Sequence, residues 1–153
     1  MPLSAWVVVV LLDQATKYAV RSSFYLGESR QIAPFFQLTY LTNTGIAFSM
    51  FQGGNTFFTV FTAFVIIGFG VWYAMNAPRL DGLIKTALVL VAAGAAGNLI
   101  DRLVFGHVTD FLDLYAGSYH WPSFNVADSC ISVGGTLMLI WALKPAEKMK
   151  LEG

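Results

Sequence analysis

The chain has 153 residues, of which 56% are hydrophobic and only 12% are charged. Soluble domains carry about 25% charged residues, so this composition argues against an ordinary soluble domain. The formal net charge is zero, which removes the electrostatic case for nucleic-acid binding. The single cysteine, Cys130, excludes an internal disulfide and a multi-cysteine metal site. The two histidines lack a metal-ligand spacing, and we expect neither a metal site nor a cofactor.

The length predicts one domain over residues 1–153, and four hydrophobic segments are predicted to cross a membrane. About 20 apolar residues suffice for one crossing. The first segment lacks the basic start and the small-residue cleavage site of a secretory signal peptide, so we expect it to be retained. The third contains the small-residue run VAAGAAGN, which allows close helix packing in a membrane. The four predicted spans are residues 3–24, 57–76, 83–104 and 126–143.

Two further segments, residues 25–56 and 105–125, are predicted to lie outside the hydrocarbon. The first is interrupted by proline and glycine, and its residues 35–41 favour a short strand. The second is interpreted as a polar loop. Arg79 and Lys85 lie at the turn between the second and third spans, and three lysines lie in the C-terminal tail, so the positive-inside rule predicts cytoplasmic termini. Both external segments then face the outer side of the membrane.

Polar residues in the first and third spans occupy helical faces. Asp13 and Lys17 are four residues apart and can pair, which either merely neutralises two charges or supports a site. Asn98, Asp101 and Arg102 share one face of the third span. They either fix packing or position a catalytic group, and Arg102 is expected to hold a loop.

Asp110 and Asp128 are the two carboxylates most indicative of chemistry, because an ionisable group near hydrocarbon is first interpreted as functional. Asn125 and Asp128 have the spacing of a helix capping arrangement, which alone would explain Asp128. Asp110 has no such local explanation, and Asp113 is expected at the surface. If Asp110 and Asp128 meet, they would share one proton and act as general acid and base on water. Their spacing alone does not establish that they meet.

Five short motifs carry a family resemblance: DQATK at 13–17, NTGIAF at 43–48, GNLIDR at 97–102, VTDFLD at 108–113 and FNVADS at 124–129. In this order and spacing the chain resembles bacterial lipoprotein signal peptidase (signal peptidase II), an aspartyl peptidase family. The resemblance implies an all-α integral membrane protein with four transmembrane helices, a small extramembrane β-cradle and a short periplasmic helix. It also implies cleavage of a lipid-modified prolipoprotein just before its diacylglyceryl-cysteine. The site is expected near the outer face of the inner membrane, in contact with membrane lipid, in a monomer.

The resemblance also assigns residues by position. Asp110 and Asp128 match the family's catalytic aspartates. Positions that match the residues lining or supporting its site are Asn43, Gly45, Asn98, Asp101, Arg102, Asn125, Asp13 and Lys17. The chain departs from the family in two places. Ile46 stands where alanine is common and would narrow the substrate groove, and only twelve residues precede Asp13.

Two other functions compete with the peptidase. A proton-coupled transporter could use a buried relay in the first and third spans. It predicts polar groups throughout the depth of the bilayer, whereas most of them here gather at one end. A non-catalytic membrane assembly protein could use the small-residue run for packing, but it leaves Asp110 unexplained.

Overall fold

The structure, a computed structural model, describes residues 3–45 and 55–143. All four hydrophobic segments are helical, with bounds within a few residues of those predicted. The elements in chain order are α1 Leu3–Ser23, β1 Ser29–Ala33, β2 Phe36–Asn43, α2 Asn55–Asn76, a 3-10 turn Ala77–Arg79, α3 Gly82–Phe105, β3 Val108–Ala116, β4 Tyr119–His120 and α4 Val126–Ala142.

Helix α3 is the centre of the bundle and packs against α1, α2 and, most extensively, α4. Glycines make the α3–α4 approach possible. A Cβ on Gly94 would collide with the backbone oxygen of Ala127, and one on Gly134 would lie 2.7 Å from the backbone oxygen of Ala87. The predicted close packing through small residues is therefore confirmed.

Length and composition qualify two stretches of the described chain as membrane spans, Asn55–Arg79 and Gly82–Phe105. Helix α4 is a shorter apolar helix. Helix α2 buries none of its residues, and Phe64 on it is 73% exposed. An apolar face of this extent requires a cover other than water, which a lipid bilayer supplies.

The expected small sheet is present, antiparallel and in the order β1-β2-β3-β4. The prediction missed two of its four strands, because the predicted loop at 105–125 instead forms β3 and β4. Helix α3 ends at Gly106, whose left-handed backbone (φ 76°) turns the chain into β3. In the register of β2 and β3, Leu41 lies opposite Asp110 and Asn43 opposite Val108. Asp110 is therefore held on a strand, which positions it more firmly than a loop would.

Asp113 is a second correction, since it is only 4% exposed rather than at the surface. Its carboxylate accepts hydrogen bonds from Gln37 Nε2 (2.6 Å) and Thr39 Oγ1 (2.9 Å) and pairs with His120 Nδ1 (2.9 Å). Partners on the neighbouring strands make this burial tolerable. The short helix that the resemblance implied is absent from 25–45 and 106–125, while residues 46–54, including Ile46, lie outside the described part of the chain.

Candidate active site

The charged residues of α1 form a fully buried cluster with α3. Lys17 Nζ lies 2.9 Å from Asp13 Oδ2, 3.6 Å from Asp101 Oδ2 and 2.8 Å from Asn98 Oδ1, and the side chains of Lys17 and both aspartates are 0% exposed. The predicted pairing of Asp13 with Lys17 is confirmed. Asp13 and Asn98 lie within hydrogen-bond distance of the ammonium group, and Asp101 adds a second negative charge close to it.

This cluster also fixes the elements that carry the two candidate catalytic carboxylates. Asp13 Oδ1 accepts a hydrogen bond from the backbone N–H of Ala127 at the start of α4 (2.9 Å). Asp101 Oδ2 accepts one from the backbone N–H of Thr109 at the start of β3 (2.8 Å). The first turn of α4 and the first residues of β3 are thus tied to the same buried charges.

Two members of the cluster were missed as site residues. Arg21 Nη1 donates to Thr109 Oγ1 (2.9 Å) and lies 3.4 Å from Asp101 Oδ1. Gln14 Nε2 donates to the backbone oxygen of Gly97 (3.0 Å) and to Asp13. Arg21 follows Lys17 by four residues, so helical spacing places both on one face and could have indicated it.

Asp128 is the third residue of α4 and takes part in a capping box, as predicted. Asn125 Oδ1 accepts from the backbone N–H of Asp128 (2.9 Å), and Asp128 Oδ2 accepts from the backbone N–H of Asn125 (3.2 Å). Its other oxygen accepts from Asn98 Nδ2 (2.8 Å). The capping explanation therefore does not exclude a role in a site, because the carboxylate of Asp128 also has a partner on another helix.

Asp110 lies on β3 and is 4% exposed. Its oxygens accept hydrogen bonds from Asn125 Nδ2 (2.8 Å) and Asn43 Nδ2 (3.1 Å). Burial and, secondly, the negative charge of Asp128 raise the pKa of Asp110 to about 7, against the opposing effect of the two amide donors. A carboxyl group with this pKa retains a proton near neutral pH and can act as an acid.

Asn125 joins the two carboxylates, since its side chain holds Asp110 and its backbone N–H holds Asp128. Both aspartates line one cavity of about 790 Å³ among α2, α3, β3 and α4. Its wall includes Asn43, Asn98 and Arg102, and aromatic residues supply much of the rest: Phe57, Phe58, Phe61, Trp121 and Phe124. The structure therefore places Asp110 and Asp128 in one cavity, which their spacing in the sequence alone did not establish.

Arg102 holds a turn at the edge of this cavity, as expected, but through a backbone oxygen. Its Nη2 donates to the carbonyl of Gly45 (2.9 Å), and the N–H of Gly45 donates to Asn43 Oδ1 (2.9 Å). The turn that presents Asn43 to Asp110 is therefore fixed from both sides. Ile46 follows it directly and falls outside the described residues.

Asp113 and the two histidines lie outside the described lining of this cavity. Burial raises the pKa of Asp113, but hydrogen bonds from His120, Gln37 and Thr39 lower it more, so it stays below the ordinary value. Asp113 is therefore a structural carboxylate that stabilises the sheet. Asp110 lies three residues earlier on the same strand, and the two carboxylates have different hydrogen-bond partners.

Two carboxyl groups in one cavity, one of which retains its proton at neutral pH, can act on a water molecule and on a leaving group in one reaction. The ionised group accepts a proton from water, and the protonated group donates one to the departing amine. This is the acid–base chemistry of peptide hydrolysis by a carboxylate pair.

Comparisons with known proteins identify the family of the chain. The family model described as signal peptidase (SPase) II matches residues 5–144. A lipoprotein signal peptidase of Alteromonas mediterranea is 40% identical over 145 residues, covering 93% of this chain and 80% of its own. One of Syntrophus aciditrophicus is 44% identical over 138 residues, covering 87% of this chain and 86% of its own.

A solved structure of a bacterial membrane enzyme superposes with a TM-score of 0.84 at 34% identity, covering 92% of this chain and 86% of that one. A second superposes with a TM-score of 0.82, also at 34% identity, covering 94% of this chain and 93% of that one. The similarity extends over nearly the whole chain in both sequence and fold. The chain therefore belongs to the signal peptidase II family.

Proposed function

We propose that this chain removes the signal peptides of prolipoproteins by aspartic peptidase chemistry, with Asp110 and Asp128 as the catalytic pair. It is a multipass protein of the bacterial inner membrane. The observation that carries the catalytic assignment is the placement of a buried carboxylate, Asp110, and a half-buried one, Asp128, in one cavity, joined by Asn125. The family and the names of its relatives supply the substrate class.

In the proposed reaction a water molecule lies between the carboxylates and the scissile carbonyl. The ionised carboxylate takes a proton from the water, whose oxygen bonds to the carbonyl carbon. The protonated carboxyl group gives its proton to the nitrogen as the C–N bond breaks. The pair ends with one proton, as it began, and no covalent intermediate with the chain is required.

The supporting residues fix this geometry. Asn98 and Asn125 hold Asp128, while Asn43 and Asn125 hold Asp110. Arg102 fixes the turn that carries Asn43. Side chains that are themselves hydrogen-bonded lose little further freedom when substrate binds, so the pair is preorganised for the reaction.

The proposed substrate carries diacylglyceryl on the cysteine after the cut. Each buried methylene contributes about 0.8 kcal/mol, so such a lipid stays in the bilayer while its peptide is cleaved. The aromatic cavity wall supplied by Phe57, Phe58 and Phe61 of α2 is suited to an apolar group beside the peptide. We place the four helices across the membrane, the sheet as a cradle on its outer surface, and both termini in the cytoplasm of a monomeric enzyme.

The test compares one purified prolipoprotein with and without the diacylglyceryl group. We expect cleavage of the modified form only, with mass spectrometry locating the new N-terminus at the lipidated cysteine. Because the pair acts with one shared proton, activity is expected to fall at both low and high pH. Equal cleavage of both forms would contradict the proposed substrate. A cleavage rate that does not change between low and high pH would contradict the shared proton.

A further inference from the structure

Lys17 does more than neutralise aspartates, because one of its three partners is a neutral side chain of the site. Its ammonium group donates to Asn98 Oδ1 at 2.8 Å, from a position with no exposure to solvent. An ammonium group can only donate hydrogen bonds, so the amide atom facing it must be the oxygen. Asn125 Nδ2, a second donor, meets the same oxygen at 3.2 Å. Two donors therefore specify one orientation of the Asn98 amide.

This orientation has a direct consequence at Asp128. With its oxygen turned to Lys17, Asn98 presents its NH₂ group to Asp128 Oδ1 at 2.8 Å. The opposite orientation would place the NH₂ group against the ammonium and the amide oxygen against the carboxylate. Lys17 thus acts on Asp128 through one intervening side chain, without touching it.

The two carboxylates are unequal in their surroundings. Each accepts two hydrogen bonds from described residues, so the number of donors does not distinguish them. Asp128, however, lies in the first turn of α4, where the helix dipole favours a negative charge. Asp110 lies on a strand without that dipole and is buried, whereas Asp128 is only half-buried.

We propose that Lys17 is a positioning residue that determines which aspartate carries the shared proton: through Asn98 it keeps Asp128 ionised, as the base, and leaves the proton on Asp110, as the acid. This inference rests on the proposed function of the Asp110–Asp128 pair. A lysine that only joined α1 to α3 by an ion pair would not affect which aspartate carries the proton. The inference gives the buried lysine that additional role.

The test measures kcat, KM and the pH profile of cleavage for Lys17→Met. The other charged groups near the pair are Asp13 on α1 and Asp101 and Arg102 on α3, and they remain in this variant. The variant removes the contact that orients Asn98, and it removes a positive charge that lowers the pKa of Asp110, so the profile moves to higher pH. We expect kcat to fall about tenfold or more with KM within about twofold of the parent value.

Arg21→Met is the matched control, since it also removes a cation that contacts Asp101, while the hydrogen bonds described for Arg21 go to Asp101 and Thr109 rather than to Asn98 or Asn125. We expect its pH profile to shift less than that of Lys17→Met. A Lys17→Met profile and kcat equal to those of the parent would overturn the inference. A shift of the same size in Arg21→Met would also overturn it, because any loss of cluster charge would then suffice.

Asn98→Asp decides the question if Lys17→Met fails to fold. It keeps an acceptor for Lys17 at position 98 but has no NH₂ group for Asp128. We expect a folded protein with kcat lowered about tenfold or more and a displaced pH profile, and parental values would overturn the inference. Full cleavage by Asp110→Asn would instead refute the proposed function, so the two failures are distinguishable.

Discussion

Replacing Asp110 by asparagine is expected to stabilise the protein at pH 8 and to destabilise it at pH 4. The carboxyl group has a pKa of about 7 in the folded chain, against an ordinary value of 3.8. Between these values the folded chain binds a proton that the unfolded chain has lost. The free energy of unfolding therefore falls as pH rises through this window. Over about three pH units the penalty reaches about 4 kcal/mol, which asparagine avoids because it cannot ionise.

Asp110→Asn also loses one hydrogen-bond acceptor. Asp110 offers an oxygen to each of two amide donors, Asn43 and Asn125, whereas asparagine has one oxygen and one NH₂ group. One unmatched donor costs about 1–3 kcal/mol. The net expectation is a gain of about 1–3 kcal/mol at pH 8, where the penalty of ionisation is removed, and a loss of the same size at pH 4.

The assay is thermal unfolding of both proteins in one detergent, followed by tryptophan fluorescence at pH 4 and pH 8. Differences between parent and variant cancel the contributions of the other ionisable groups to first order. A stability difference that is the same at both pH values would refute the reasoning, because it would mean that Asp110 does not take up a proton on folding.

Two further predictions concern residues outside the catalytic pair. Asp113 has a pKa below its ordinary value of 3.8, so its contribution to stability is present above that value and is lost as pH falls below it. Asp113→Asn should be less stable than the parent by a similar amount at pH 8 and pH 5, with a deficit that shrinks below about pH 4 in the same unfolding assay. A deficit that grows below about pH 4 would contradict this. Gly97→Ala places a Cβ 2.5 Å from Asp13 Oδ2 and should lower the free energy of unfolding by about 1–3 kcal/mol. Gly135→Ala, with nothing within 4 Å of its Cβ, should raise it by up to about 1 kcal/mol, and equal effects of the two would refute the packing argument.

The helices were predictable from the sequence because their signals are local. A run of about 20 apolar residues needs no partner to be recognised. The pairing of Asp13 with Lys17 and the capping box of Asn125 and Asp128 follow from helical spacing alone. Each of these predictions is confirmed because the interaction lies within one turn of one helix.

Strand β3 and the burial of Asp113 were not predictable in this way. Two aspartates interrupt the apolar pattern of 108–116, and the side chains that satisfy Asp113 come from other strands, with Gln37 separated from it by 76 residues. The meeting of Asp110 with Asp128 likewise depends on how β3 and α4 are anchored to the buried cluster of α1 and α3. Only the family resemblance pointed to that meeting in advance.

The structure also bears on the transporter hypothesis. The charges that would form a relay, Asp13, Lys17 and Asp101, are bonded to one another and to fixed backbone groups. The ammonium group of Lys17 lies at hydrogen-bond distance from Asp13 and Asn98 and forms an ion pair with Asp101. Such an arrangement serves to anchor helices and strands, and the open cavity lies instead at the aspartate pair.

Cleavage of a diacylglyceryl-modified prolipoprotein by single aspartate variants tests the central claim most directly. Asp110→Asn and Asp128→Asn would be compared with the parent and with Asp113→Asn, which alters a buried carboxylate on the same strand that lies outside the described cavity lining. Folding of all four would be verified first. The account predicts product from the parent and from Asp113→Asn, and none from the other two. Product from folded Asp110→Asn or Asp128→Asn would contradict it, because a carboxylate pair cannot act as both acid and base with one member missing.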